Sequence, residues 1–129
     1  MKAVNTDKAP NAAGPYSQAI VANGFVFCSG QVGINPETKT IGETIEEQAH
    51  QVIKNLKAVI EAAGSTLDQV VKTNIYLTNV SDFAKVNEIY SEYFKDHKPA
   101  RATVGVADLP KGKLSISPLI EMEAVALIK

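Results

Sequence analysis

Twelve lysines and one arginine carry the positive charge of this 129-residue chain, and the arginine stands in Pro99-Ala100-Arg101-Ala102-Thr103-Val104. A guanidinium presents a rigid fork of donors that grips a carboxylate through two parallel hydrogen bonds, which an ammonium cannot do. Pro99 pushes its predecessor toward an extended conformation and ends the helix before it. Arg101, Thr103 and Gly105 then alternate with Ala102, Val104 and Val106, the period of a strand, so Arg101 and Thr103 point the same way. A lone arginine in a structural ion pair is the competing reading.

Near the C-terminus Glu121 and Glu123 share a strand face with Val125 and Leu127. A carboxylate on a face that turns apolar is partly buried, which raises its pKa and suits it to proton transfer; a solvated strand end is the alternative. Tyr16, after Gly14-Pro15, is a further candidate, as is Ser29-Gly30, though Tyr16 could equally cap a sheet edge. No histidine is placed to activate Ser29, so a serine nucleophile is not expected. Cys28 alternates onto the opposite face as a small core residue. Asn87 falls within an apolar helical stripe and there must find hydrogen-bond partners, as a structural or a functional amide. An arginine clamp, hydroxyls, a backbone turn and a glutamate together suit a small carboxylate-bearing substrate and an acid–base step.

The formal net charge is −1 and lysines are interspersed with acids, so no phosphate-binding surface and no nucleic-acid partner are expected. No apolar stretch approaches the ~18 residues that span a bilayer, and the first residues lack the apolar core of a secretory signal. Cys28 is the only cysteine, which excludes an intrachain disulfide and agrees with a cytoplasmic location. His50 and His97 stand apart, outside any metal-ligand spacing, and no metal is expected.

The elements that must position these groups read as one α+β domain over residues 1–129. A short extended piece and turns lead to strands over 16–22 and 25–29, joined by Asn23-Gly24, the favoured two-residue hairpin turn. Residues 31–42 read as loop. A helix follows, with the stripe Ile45, Ala49, Val52, Ile53, Leu56, Val59, Ile60, Ala63, a Thr44/Glu47 capping box and Gly64 at C′. A strand over about 70–78 places Val71, Thr73, Ile75 and Leu77 on one face. The second helix starts near Ser81 as N-cap, with the stripe Phe83, Val86, Tyr90, Tyr93, Phe94. The arginine strand running to Leu109-Pro110, a loop over 111–118 and a last strand over about 119–128 complete a mixed sheet with two helices on one face. The strands are apolar on both sides, and two helices cover only one, so a second copy of the chain is expected on the other.

Gly14-Pro15-Tyr16-Ser17-Gln18-Ala19, Ser29-Gly30-Gln31, Glu47-Gln48-Ala49, Asn55-Leu56-Lys57-Ala58-Val59, Asp82-Phe83-Ala84-Lys85-Val86-Asn87, Pro99-Ala100-Arg101 and Glu121-Met122-Glu123-Ala124-Val125-Ala126 occur in an order that resembles the RidA (YjgF) family of reactive-intermediate deaminases over nearly the full length. The resemblance implies a fold like bacillus-type chorismate mutase, a homotrimer with clefts between subunits, and no cofactor. It implies hydrolysis of enamines and imines such as 2-aminoacrylate and 2-aminocrotonate to 2-oxo acids and ammonia. Carried over by position, Arg101 would hold the substrate carboxylate and Glu121 would align or activate the attacking water. Tyr16, Ser29, Gly30, Asn87 and Thr103 would line the pocket, some from the adjacent subunit. Many members carry cysteine where Thr103 stands. The segment 111–118 is longer than the usual loop, and a register slip of two would put Glu123 in place of Glu121. A carboxylate-binding regulator or a chaperone-like protein is the alternative reading. Ribonuclease activity is disfavoured by the absence of a lysine cluster, a histidine pair or an aromatic ladder.

Overall fold

The computed structural model describes residues 1–128. Its elements are β1 (Lys2–Val4), β2 (Ala19–Ala22), β3 (Phe25–Val32), α1 (Ile45–Ala62), β4 (Val70–Leu77), α2 (Phe83–Phe94), β5 (Ala100–Gly105) and β6 (Ile120–Leu127). They form a six-stranded sheet in the order β1-β2-β3-β6-β4-β5, with β4 and β5 parallel and the other neighbours antiparallel. Both helices pack on one face: Met122, Ala124 and Ala126 of β6 and Thr73, Ile75 and Leu77 of β4 are buried beneath them. The α+β architecture read from the sequence is the one observed.

Local chemistry explains the ends of these elements. Asn23 and Gly24 have φ of 56° and 82°, the left-handed pair that a type I′ turn requires, between the paired residues Ala22 and Phe25. At the start of α1, Thr44 Oγ1 accepts from the Glu47 amide at 3.1 Å and donates to the Glu47 carboxylate at 3.0 Å. At its end the Gly64 amide donates to Glu61 O and the Ser65 amide to Ile60 O, both at 3.0 Å. That is a Schellman closure, and Gly64 takes the left-handed φ of 91° that it needs.

Buried amides tie the loops to this frame. Gln48 donates to Gly42 O at 2.8 Å and accepts from the Leu119 amide at 2.8 Å. Asn55 donates to Val32 O at 3.2 Å and to Ile34 O at 2.9 Å. Both amides lie on the buried face of α1, where an unpaired polar group would cost about 1–3 kcal/mol.

Several expectations need correction. β2 begins at Ala19, because residues 14–16 bend and Gln18 keeps only a single backbone bond to β3. β3 runs on through Val32, and Ile34 bridges Ile41, so the stretch 31–42 is not all loop. Val71 is not on the buried face of β4. Val70 pairs with Ala126 and Lys72 with Val125, so Val71 is the extra residue of a β-bulge and is 42% exposed. Ser81 is not the cap of α2: it lies in a 3₁₀ turn over Val80–Asp82, and Asn79 Oδ1 accepts from its amide at 3.1 Å. Asn87 is exposed, not buried. The stripe that meets the core is Val86, Ile89, Tyr90 and Phe94, which turns the Phe83–Asn87 flank outward past the edge strand β5.

Candidate functional site

The site begins with an irregularity in β3. Cys28 pairs with Ala124 and Gln31 with Met122, so Ser29 and Gly30 stand together opposite Glu123. Such a bulge re-aims side chains and bends the strand. Ser29 is fixed there: its amide donates to Gln18 O at 2.9 Å and its hydroxyl to Ser17 O at 2.6 Å. Gly30 leaves room for the side chain of Glu121 to lie across the strand. A Cβ on Gly30 would stand 2.8 Å from the Glu121 carboxyl carbon and 3.1 Å from its Cγ.

Burial pushes the pKa of Glu121 up, and the neighbouring charge of Glu123 adds to the shift. The two carboxylates are not equivalent. Tyr76 donates its phenol proton to Glu123 Oε1 at 2.7 Å, which also raises the Tyr76 pKa. Among the described residues no such donor engages Glu121.

Glu121, Glu123, Ser29, Gly30 and Tyr16 line an open groove of about 1050 Å³. Tyr16 is 52% exposed, and its hydroxyl accepts from the Ala13 amide at 3.3 Å. Gln18 also lines the groove and ties down the N-terminal segment: its side chain accepts from Thr6 N at 2.7 Å and donates to Thr6 O at 3.0 Å and Pro10 O at 2.8 Å. The loop after β5 contributes residues 110–114 to the rim, and Lys39, Lys111 and Lys113 are among the lining residues. Cys28 also borders the groove, but burial pushes its thiol up to about 12.

Arg101 is elsewhere. Thr73 pairs with Arg101 and Ile75 with Thr103 in the parallel ladder, and paired residues share a face. Arg101 and Thr103 therefore lie on the helix side of the sheet, whereas Glu121 and Glu123 lie on the other side. The Arg101 guanidinium carbon sits 4.8 Å from the Tyr90 ring centroid and 5.5 Å from that of Phe83. The competing structural ion pair is not seen: among the described residues the one salt bridge joins Lys85 and Glu46. The Thr103 hydroxyl is buried without a hydrogen-bond partner. Asn87, four residues from Phe83 and three from Tyr90, shares their side of α2.

The structure thus brings Tyr16, Ser29, Gly30 and Glu121 together along one groove. It places Arg101, Thr103 and Asn87 apart from them, on the opposite face and at the sheet edge. The sequence pattern assigned Tyr90 to the core and gave Tyr76 no role. Tyr76 could have been found from its spacing, since with β4 beside β6 it falls opposite Glu121 and one step from Glu123.

A family profile described as Endoribonuclease L-PSP matches residues 6–128. A RutC family protein of Pyrococcus abyssi is 52% identical over 122 residues, covering 94% of this chain and 92% of that protein. Reactive Intermediate Deaminase A, chloroplastic, of Arabidopsis thaliana is 48% identical over 97% of this chain and 65% of its own length. The chain belongs to the RidA (YjgF) family. The crystal structure of E. coli TdcF with bound serine superposes with a TM-score of 0.93 at 36% identity, covering all of both chains. RidA-family relatives include chloroplastic and mitochondrial proteins. Among the described residues no helix is long and apolar enough to cross a membrane, and no group of three or more His, Cys, Asp or Glu could hold a metal ion.

Proposed function

We propose that this protein hydrolyses 2-imino acids, and the enamines in equilibrium with them, to 2-oxo acids and ammonia, in clefts that two subunits complete. The observation that carries the reading is the split of the candidate residues. A half-buried carboxylate faces one way, and an arginine with all its donors unspent lies at the opposite edge. A second copy of the chain would join them. The sheet face away from the helices favours such a neighbour, since Phe27 is 48% exposed there and Phe25, Val125 and Leu127 are only half-buried. A trimer closes three such clefts by rotation, as a heterologous interface allows.

In this cleft the Arg101 fork takes the substrate carboxylate, which fixes the orientation of the C=N carbon. Glu121 removes a proton from water as the oxygen bonds to the carbon of the protonated imine, and the C=N π electrons go to nitrogen, which becomes an NH2 group. Glu121 then returns that proton to the nitrogen; as the C–N bond breaks and ammonia leaves, the hydroxyl proton passes to the freed carboxylate, the O–H electrons complete the carbonyl, and the proton departs with ammonia as ammonium. A raised pKa suits a group that must both take and give a proton near neutrality. The unpartnered Thr103 hydroxyl, the Asn87 amide and Tyr16 supply polar contacts, and Ser29, its proton committed to Ser17, offers a lone pair. Glu121 is preferred to Glu123 because Tyr76 already occupies Glu123. A cytoplasmic place fits the lone, buried thiol.

Serine bound to E. coli TdcF favours a second reading, in which the same clamp senses a small carboxylate without turning it over. The test generates 2-aminocrotonate in situ with a dehydratase and follows imine decay spectroscopically. Acceleration by the wild type, abolished in Arg101→Ala and reduced about 10²-fold or more in Glu121→Ala, supports the enzyme. No acceleration, with serine or 2-oxobutanoate still raising the melting temperature, supports the sensor. RNA cleavage by the wild type and not by Arg101→Ala would support the nuclease of the family description.

A further inference from the structure

Arg101 lies on an edge strand, carries a long flexible side chain and has no acidic partner to hold it. Something else must orient the fork, because an unrestrained arginine pays rotamer entropy for every carboxylate it binds. We infer that Tyr90 is the positioning residue of the carboxylate clamp, holding the Arg101 guanidinium against its ring face so that the fork is pre-aimed. The inference rests on the proposed role of Arg101.

The ring is itself immobilised on three sides. Its hydroxyl is hydrogen-bonded to the Thr73 hydroxyl at 2.9 Å within the buried core. The ring also stacks on Phe94, with centroids 4.4 Å apart and planes at 26°. Tyr90 itself is only 8% exposed. Thr73 is also the register partner of Arg101 in the β4–β5 ladder. The chain of contacts is therefore closed: from β4 up through the Tyr90 hydroxyl, across its ring to the guanidinium, and back down Arg101 to β5. No rotamer change of Tyr90 is open without breaking the buried hydrogen bond.

Contact with a ring face has a property that an ion pair lacks. It attracts the cation through the π electrons, while the guanidinium N–H groups lie at the edge of their own plane and stay free. A carboxylate partner would have oriented Arg101 equally well but would have used the donors that a ligand needs. Phe83, at 5.5 Å, supplies a second and partly exposed wall. Burial raises the Tyr90 pKa against the opposing pulls of the Thr73 hydrogen bond and of Arg101, so the phenol stays neutral beside the guanidinium.

The probe is 2-oxobutanoate, its affinity measured by calorimetry on the whole assembly, with Tyr90→Phe and Tyr90→pentafluorophenylalanine. The fluorinated ring keeps shape and packing but reverses the charge of the face. Against a wild type that binds, the fluorinated variant is expected to lose about tenfold in affinity relative to Tyr90→Phe. In an Arg101→Ala background the two Tyr90 variants should bind equally, because the ring then has no cation to hold. Equal affinity of the two variants with Arg101 present would overturn the inference while leaving the clamp intact. Equal loss with and without Arg101 would show a packing effect and overturn it too. If Arg101→Ala itself binds like the wild type, the clamp reading fails, and the Tyr90 inference fails with it.

Discussion

Gly30→Ala puts the smallest possible side chain against the proposed catalytic carboxylate. The added Cβ would lie 2.8 Å from the carboxyl carbon of Glu121, where ordinary contact begins at 3.4 Å. The carboxyl carbon must retreat by roughly 0.6 Å and its nearer oxygen by about 1 Å, because the oxygen sits beyond the carbon on the side of the clash. The retreat itself is cheap, since the group that moves is the free end of a flexible chain and Gly30 does not occupy the left-handed region. Lost glycine entropy in the unfolded chain offsets part of the strain, so stability should change by no more than about 1 kcal/mol. Catalysis should not be spared. A displacement of about 1 Å in a reacting group costs on the order of 10²-fold, within the ~10² to 10⁴ that a positioned acid–base supplies. The assay is imine decay in the dehydratase-coupled system, with 2-oxobutanoate affinity and melting temperature measured on the same preparation. The expected result is kcat down about 10²-fold with affinity and melting temperature nearly unchanged. Wild-type kcat in a folded Gly30→Ala protein would refute the placement of Glu121 at the reaction centre.

Glu121→Gln should be inactive yet more stable than the wild type at pH 7. The folded-state pKa is raised, so below the ordinary carboxyl value both states are protonated and the group is neutral toward stability. As pH rises past it the unfolded chain ionises first, and stability falls until the folded group ionises too. Thermal unfolding should show the advantage of Glu121→Gln at pH 7 and its disappearance below about pH 4. Cys28 should resist alkylation in the native protein at pH 8, where a thiol at about 12 is thiolate in only about one molecule in 10⁴; labelling followed by mass spectrometry checks this. Phe27→Asp should give a folded monomer in sedimentation at micromolar concentration with no imine hydrolysis, since the exposed ring lies on the face assigned to a neighbouring subunit.

Much of this fold was legible because its signals are local. The α1 stripe, the Thr44 cap, Gly64 and the Asn23-Gly24 turn each follow from a few adjacent residues. What failed was two-dimensional. The Val71 bulge is invisible in a strand that alternates well on either side, because its cause is the register against β6. Asn87 sits on the period of the α2 stripe, yet the sheet ends at β5 and leaves that flank uncovered. The residues of the site were legible as types, but their opposition was not. Alternation put Arg101 beside Thr103 and Glu121 beside Glu123. Only the parallel β4–β5 pairing shows that the two pairs look to opposite sides of the sheet.

That opposition is best tested by mixing Arg101→Ala and Glu121→Gln subunits after co-refolding or co-expression. Each homo-oligomer should be nearly inactive. If every cleft takes Glu121 from one subunit and Arg101 from the next, any mixed trimer contains one intact cleft of three, and equal random mixing should restore about a quarter of wild-type imine hydrolysis. A mixture no more active than its two components, with subunit exchange verified by mass, would contradict a site shared between chains.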